Sequence, residues 1–365
     1  GTFYEIAIEA EAESGPVITR LLRQSEDLVE EPSLKVKESL VLVSTRSRSP
    51  FGQGVLSKLE KMPGFRRKWL VEPVCPVVKK QPLFQSAQQM IKLAQKQSVS
   101  LGQLALEYES EILGLPRKEI LVEADRRFRI MQSSVGQGLE LEAERIQFLK
   151  PSAGKILRLE KEGRLPIGGS YLRAGARALA VMHINGKCGV VCAAPTGGSA
   201  GTLPGVLVTL LEDERIGHEK ILLSLLAAGA IGTIVAQKAT FAAEIAGCQV
   251  EIGAAGAMAA AAVVEAFGGN AGQAADAAAI AFQNIMGSVC DLVQGKVEIP
   301  CHTRNALGAA NAFLCAGLIM GGYENPINLD ETIDAVYAVG KMMPSELRCT
   351  SRGGLAVCPS ALKLS

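Results

Sequence analysis

Histidine and aromatic residues are both scarce in this sequence of 365 residues. Only three histidines occur, His183, His218 and His302, which disfavours a histidine-rich metal site or a Ser/His/Asp triad. Aromatic residues make up 4% of the chain, too few for a platform on which nucleic-acid bases stack. Neither sign of charge predominates, because the sequence has 38 basic and 37 acidic residues. The net charge of +1 predicts neither nucleic acid nor a membrane surface as a partner.

Long uninterrupted hydrophobic runs are also missing. Gly1–Glu11 contains no basic segment followed by a long apolar core, so we expect no secretory signal and a cytoplasmic location. Three uncharged stretches, 188–211, 221–237 and 305–323, are interrupted by Pro, Gly or Asn or are shorter than a membrane span. We therefore predict that all three lie in the protein interior.

Residues 1–80 have the pattern of a small α+β domain. Tyr4, Ile6 and Ile8 occupy alternate positions, which predicts a strand. The elements predicted after it are a helix that Pro16 opens and that includes Val29, a strand over Val36–Ser44, a helix over Gly54–Lys61 and an extended run over Trp69–Val78.

Residues 81–365 are predicted to form one large helical domain. Charges become sparse and Ala and Gly dominate from about residue 165, which favours a tightly packed core there. Apolar residues at three- and four-residue spacing predict helices over 86–97, 101–113, 117–136, 221–236, 254–267, 271–286, 306–320 and 329–342, with at least two pieces within 141–162. The predicted fold class is mostly α, with the small α+β domain at the N-terminal end.

A glycine-rich segment is the first feature that indicates chemistry. Thr196–Gly205 holds four glycines and three hydroxyl residues directly before an apolar run. Glycines let backbone amides approach a ligand, and a loop that precedes a helix can bind a carboxylate or phosphate. The alternative is a plain turn between helices, and the absence of a following Gly-Lys-Ser/Thr excludes a P-loop.

Nine cysteines without an expected export signal favour reduced thiols, some of them metal ligands, over a disulfide framework. Three of them, Cys248, Cys290 and Cys301, lie near Gly or Pro at predicted helix ends, where backbone amides favour a thiolate. Spacing alone favours buried apolar cysteines over metal ligands. We predict that four others, which lie in apolar runs, are buried apolar cysteines: Cys75, Cys188, Cys192 and Cys315. Cys349 and Cys358 stay unassigned.

Four segments in collinear order carry a resemblance to a known family: APTGGSAGTLPG, GCQVEIGAAGAMAAAAVVE, GSVCDLVQGKVEIPCHTRNA and SRGGLAV. Over about residues 85–360 the chain resembles the alpha chain of the bacterial iron–sulfur-dependent L-serine dehydratases. In that family three cysteines of these motifs bind a 4Fe–4S cluster and leave one iron without a protein ligand. The resemblance therefore implies Cys248, Cys290 and Cys301 as the cluster ligands.

The resemblance also implies a substrate site and a reaction. An open iron would act as a Lewis acid on the hydroxyl of a small hydroxy-amino acid, while a base removes the neighbouring proton. L-Serine would become pyruvate and ammonia. The residues implied to bind the substrate carboxylate are Thr196, Gly197, Gly198, Ser199, Ala200 and Gly201. Arg304 and Asn305 would pair with substrate or cap the helix that follows.

The identity of the base stays open. Ser199, Lys296 and His302 are candidates because they lie in or near the motifs. Lys296 could instead be a solvated loop lysine, and His302 could support a ligand by hydrogen bonding.

The chain departs from the family in two places. The family's beta chain or domain carries a Ser-Ser-Ser-His-Thr run that helps bind serine, and this sequence has none. Residues 1–80 either replace that part or are something else, and a beta-type partner chain could supply it; we also expect a homo-oligomer. Cys349 stands where the family tends to have an acidic residue, and the last cysteine, Cys358, lies seven residues before the end, whereas single-chain relatives end in a cysteine.

Two alternative functions follow from the same residues. One keeps the cluster and changes the substrate, to cysteine with loss of sulfide or to another hydroxy acid. The other is a non-catalytic subunit whose cysteines hold zinc. The glycine-rich loop disfavours the zinc interpretation, because a structural zinc site needs no anion-binding loop and prefers four protein ligands.

Overall fold

The computed structural model describes residues 3–73, 77–142 and 145–364. Two compact units are present: Gly1–Pro82 with Ser110–Leu115, and Leu83–Glu109 with Pro116–Ser365. The boundary predicted at residue 80 stays a prediction, because compactness does not show that either part folds alone. Cys75 lies outside the described residues.

The first unit is a four-stranded antiparallel sheet with two helices. Its elements in chain order are β1 (Tyr4–Glu11), α1 (Gly15–Leu22), β2 (Ser33–Lys37), β3 (Leu40–Ser47), α2 (Gln53–Glu60) and β4 (Phe65–Val71). The strands lie in the sheet in the order β2-β3-β1-β4. Together with the β-α-β-β-α-β order along the chain, this is a ferredoxin-like arrangement. One face of the sheet is buried, because Ile6 and Ile8 of β1 pack with Val43 of β3 and with Ile18 and Leu59 of the helices.

Three element boundaries in this unit differ from the prediction. The strand predicted over Val36–Ser44 is a hairpin, with Glu38 at a φ of 56° in the turn between β2 and β3. Helix α1 ends at Leu22, and Val29, which we placed on its apolar side, is 40% exposed. The last strand begins at Phe65 instead of Trp69.

The second unit is helical, and this confirms the predicted fold class. Its helices are α3 (Ala87–Gln97), α4 (Leu101–Leu113), α5 (Arg117–Leu139), α6 (Ala153–Lys161), α7 (Ser170–Gly186), α8 (Thr202–Glu212), α9 (His218–Lys238), α10 (Ala243–Ala246), α11 (Ile252–Ala266), α12 (Ala271–Ile285), α13 (Cys301–Met320), α14 (Leu329–Met342) and α15 (Pro359–Leu362). Helix α7 was missed from the sequence, and α13 begins five residues earlier than predicted, at Cys301.

Helix α11 is the centre of this unit. All fifteen of its residues are buried, and it packs against α8, α9, α12 and α13. Its sequence is mostly Ala, Gly and Val, with one charged residue, Glu265, which pairs with Lys220. The helix is therefore apolar on most sides, and neighbouring helices can approach closely. Helix α9, His218–Lys238, is long and apolar enough by length and composition to cross a membrane, and 56% of that apolar stretch is buried inside the protein.

Close helix packing predicts different effects for two glycines of α5. An alanine Cβ at Gly138 would clash with the backbone of Ala180 in α7, whereas at Gly136 nothing lies within 4 Å. We expect Gly138→Ala to lower the free energy of unfolding by on the order of 1–3 kcal/mol, as overpacking does. Gly136→Ala should be neutral or stabilise by up to about 1 kcal/mol. Denaturant unfolding measures both, and equal midpoints would contradict this packing.

Candidate functional site

The glycine-rich loop lies directly before α8, as predicted. The loop comprises Thr196–Gly201, because Thr202 is the first residue of the helix. The two hydroxyl residues within it shape it: the Thr196 amide donates to Ser199 Oγ at 3.3 Å, and the Ser199 amide donates to Thr196 Oγ1 at 3.2 Å. The two hydroxyl oxygens are 3.0 Å apart. Ser199 is fully buried. The loop is therefore held in shape by its own side chains and does not need a ligand for this.

Asn305 joins this loop to the start of α13. Its Oδ1 accepts from the amides of Gly201 at 3.0 Å and Thr202 at 3.1 Å. Its Nδ2 donates to the carbonyls of Gly198 at 2.8 Å and Cys301 at 2.9 Å. Asn305 is fully buried, and its amide group is saturated by these bonds. A direct contact of Asn305 with substrate, which the sequence suggested, stays a prediction.

Two amides of the loop are left for a ligand. Among the described residues, neither the Gly197 amide nor the Gly198 amide donates a hydrogen bond. Gly197 is exposed, while Gly198 is half-buried. Adjacent free amides beside a helix N-terminus suit a carboxylate or another anion.

The three predicted cysteine ligands come together. Cys248 lies in the turn before α11, Cys290 follows α12, and Cys301 is the first residue of α13. They are 1%, 3% and 6% exposed and belong to one buried cluster. The apolar residues that complete this cluster are Met182, Ala243, Ile252 and Leu292.

The cysteines differ in acidity. The hydrogen bond from the Cys290 thiol lowers the pKa of Cys248, and the Arg304 guanidinium adds to this effect against burial. The same hydrogen bond, together with burial, raises the pKa of Cys290. Burial raises the pKa of Cys301 to about 12. Cys248 is therefore the favoured thiolate of the three.

This donor set fits an iron–sulfur cluster. Buried cysteine sulfurs are the ligands that such clusters use. Burial and a neighbouring sulfur make it unfavourable for a second cysteine to ionise. A metal centre adds positive charge, which favours the thiolate form of the cysteines that bind it. Within the described ranges, no three His, Cys, Asp or Glu side chains are arranged to hold a single metal ion. A cluster does not require such convergence, because each cysteine binds its own iron.

Arg304 supports the cysteine site from one turn into α13. Its Nη1 lies 3.5 Å from Cys248 Sγ and donates to the carbonyl of Val289 at 2.7 Å. Its Nη2 pairs with Asp291 Oδ1 at 2.9 Å. Asp291 Oδ2 in turn accepts from the Leu355 amide at 2.9 Å. Arg304 thus connects two ligand segments and the C-terminal segment, a role that the motifs alone did not indicate.

Glu251 is a site residue that the sequence interpretation missed. The Thr196 hydroxyl donates to Glu251 Oε1 at 2.6 Å, and a Cβ on Gly198 would clash with the same carboxylate. Burial raises the pKa of Glu251, although the Thr196 hydrogen bond opposes it. A signal was available, since Glu244 and Glu251 are the only charged residues between 239 and 264.

The three predicted base candidates occupy different environments. Ser199 is buried within the loop, and Lys296 is exposed after a short 3-10 helix. His302 is 1% exposed, and its ring lies 5.5 Å from that of His183. Burial and the His183 ring lower the pKa of His302 to about 3, so this imidazole is neutral near pH 7.

Two of the remaining cysteines differ from expectation. Cys315 is buried in α13 as predicted. Cys188 is exposed and Cys192 half-buried, because the segment after α7 runs along the surface. Cys349 is exposed beside Cys290, and Cys358 is half-buried.

Comparison with known proteins agrees with the motifs. The family model described as serine dehydratase alpha chain matches residues 82–356. The probable L-serine dehydratase, alpha chain, of Bacillus subtilis (strain 168) is 36% identical over 282 residues, 77% of this chain and 94% of that protein. The L-serine dehydratase, alpha chain, of Peptoniphilus asaccharolyticus is 33% identical, over 77% of this chain and 97% of the relative. L-Serine dehydratase TdcG of Escherichia coli (strain K12) is 34% identical, but the match covers 62% of its length and 75% of this chain.

The Asn305 contacts predict a structural effect that can be measured at the loop. Asn305→Ala leaves buried amides and carbonyls without partners, so we expect a loss of on the order of 3 kcal/mol in the free energy of unfolding. Hydrogen exchange at the Gly201 and Thr202 amides should accelerate. Thr303→Ala, on the exposed side of the same turn, is the control. Unchanged exchange at both amides in Asn305→Ala would contradict the anchoring role.

Proposed function

The chain belongs to the serine dehydratase alpha chain family, and we propose that it is a 4Fe–4S-dependent lyase that converts L-serine to pyruvate and ammonia. One observation carries the proposal: the first turn of α13 brings a buried three-cysteine site and the glycine-rich loop together. Cys301 belongs to the cysteine site, and Asn305, four residues later, anchors the loop.

Cys248, Cys290 and Cys301 would hold the cluster. Three ligands leave one iron free of protein, and the cluster when bound supplies a Lewis acid for the substrate hydroxyl. Arg304 balances the negative charge at Cys248 and keeps the Cys290 segment against it through Val289. The apolar residues around the sulfurs limit access of water.

The substrate carboxylate would bind at the free amides of Gly197 and Gly198. The loop is already fixed by Thr196, Ser199 and Asn305, so little conformational entropy is lost on binding. The start of α8 adds a favourable dipole. The same amides can stabilise charge that builds on the carboxylate when the neighbouring proton leaves.

Glu251 is our candidate for the base. Its carboxylate lies against Gly198 and accepts from Thr196, so it borders the loop where the substrate would lie. Because its pKa is raised, Glu251 binds a proton more tightly than an ordinary carboxylate does, and this makes it a better base near neutral pH. In the proposed reaction Glu251 takes the proton from the carbon beside the carboxylate, and hydroxide leaves the next carbon. The enamine product becomes an imine, which water hydrolyses to the keto acid and ammonia.

A beta-type partner chain would complete the enzyme. Two of the relatives are named as alpha chains, and the match covers 62% of the longer TdcG. The sequence contains no Ser-Ser-Ser-His-Thr run to bind serine. We therefore propose that side chains from another polypeptide close the substrate site.

The function is tested by anaerobic reconstitution with iron and sulfide. We expect visible cluster absorbance, and pyruvate from L-serine either with the chain alone or after a beta-type chain is added. Threonine, cysteine and other hydroxy acids, assayed in parallel, test the alternative substrates. Cys301→Ser should lose both absorbance and activity, because a buried ligand is removed.

Cys315→Ser is the matched control for this test, since Cys315 is buried in the same helix but outside the cysteine site. It should keep the absorbance. Equal behaviour of the two variants would contradict the ligand assignment, and a cluster without keto-acid formation in either arm would contradict the reaction.

Glu251→Gln is expected to lower kcat by roughly 10²–10⁴-fold while the cluster absorbance is preserved. The base must be deprotonated, so wild-type activity should fall as the pH drops through the raised pKa of Glu251, and this limb should disappear in the variant. Glu244→Gln, an exposed acid seven residues earlier, is the control. A variant with wild-type kcat and pH profile would show that Glu251 is not the base.

A further inference from the structure

Cys349 is held against Cys290 by the backbone. The Cys290 amide donates to the Leu347 carbonyl at 2.8 Å, and the Cys349 amide donates to the Cys290 carbonyl at 2.9 Å. These bonds form an isolated parallel bridge between Cys290 and Arg348. The C-terminal segment is therefore tied to the segment that carries a proposed cluster ligand.

The side chains of this pair also meet. The Cys248 sulfur and burial raise the pKa of Cys290, and the Cys349 sulfur adds to this effect. Burial raises the pKa of Cys349, whereas the nearby Cys290 thiol lowers it. Cys349 has a φ of 64°, a conformation that few residues with a Cβ adopt, and the bond to the Cys290 carbonyl helps to hold it there. Cys349 is exposed, whereas Cys290 is 3% exposed.

We propose that Cys349 and Cys290 form a reversible disulfide when no cluster is bound, with hydrogen peroxide as the oxidant. Peroxide reaches the exposed Cys349 sulfur first and oxidises it to a sulfenic acid, releasing one water. The Cys290 sulfur then attacks the Cys349 sulfur, and the second water leaves as the disulfide forms. In sum, two thiols lose two electrons and two protons, and hydrogen peroxide is reduced to two waters.

Exposure to solvent favours Cys349 over Cys248 as the partner of Cys290 that is oxidised first. Cys248 also lies beside Cys290, but it is 1% exposed and its sulfur is engaged by Arg304. A dissolved oxidant therefore meets Cys349 before it meets Cys248. The disulfide would protect Cys290 from irreversible oxidation, and reduction by a small thiol would return it as a ligand. Only this last consequence rests on the proposed function.

The experiment uses the full chain, treated with a chelator and then with one equivalent of hydrogen peroxide. Free thiols are alkylated, the chain is digested, and disulfide-linked peptides are identified by mass spectrometry. We expect one dominant Cys290–Cys349 link that dithiothreitol removes. Cys349→Ser should lose the link, with Cys290 recovered as an alkylated free thiol, whereas Cys358→Ser should keep the link.

Two outcomes would overturn the proposal: a dominant Cys248–Cys290 link, or Cys349 recovered as a free or singly oxidised thiol with Cys290 unlinked. Both are read on wild-type protein, so they do not depend on how a variant folds. If the link forms but the reduced chain takes up no cluster, the proposed function fails and this inference stands.

Discussion

The buried side-chain amide of Asn305 is the contact on which the proposed site depends. It accepts from two amides at the end of the glycine-rich loop and donates to two carbonyls, one in the loop and one at Cys301. Three of these bonds are buried and the bond to Gly198 is partly buried, so losing a buried one leaves an unsatisfied polar group. This requirement fixes the distance between the loop and the cysteine site.

Electrostatics explain the residues around that contact. Three buried thiols cannot all ionise, and the site favours one thiolate, Cys248, with Arg304 and the Cys290 thiol beside it. Arg304 is itself balanced by Asp291. Glu251 is a second buried acid, and its proton affinity is raised by the same low polarity. A metal centre would add the positive charge that this group of sulfurs lacks, which is why we propose that the cluster binds here.

Patterns that depend on neighbouring residues predicted most of the secondary structure correctly. Alternation predicted β1, and three- and four-residue spacing predicted most helices of the second unit. The hairpin was missed because its turn, Glu38 and Ser39, contains no glycine, asparagine or aspartate, although Glu38 has a positive φ. Helix α7 was missed because it is rich in Ala and small residues and buried on most sides, so it shows little periodicity.

The sequence by itself determined the family and the fold class, and it singled out the three cysteines and the glycine-rich loop as candidates, because each is carried by short runs of adjacent residues. Tertiary structure alone decided which side chains meet. Glu251 reaches Thr196 across 55 positions, Asn305 reaches the loop across about a hundred, and Cys349 reaches Cys290 across 59. Helix packing around α11 sets these distances, and no local pattern reports how separate helices pack.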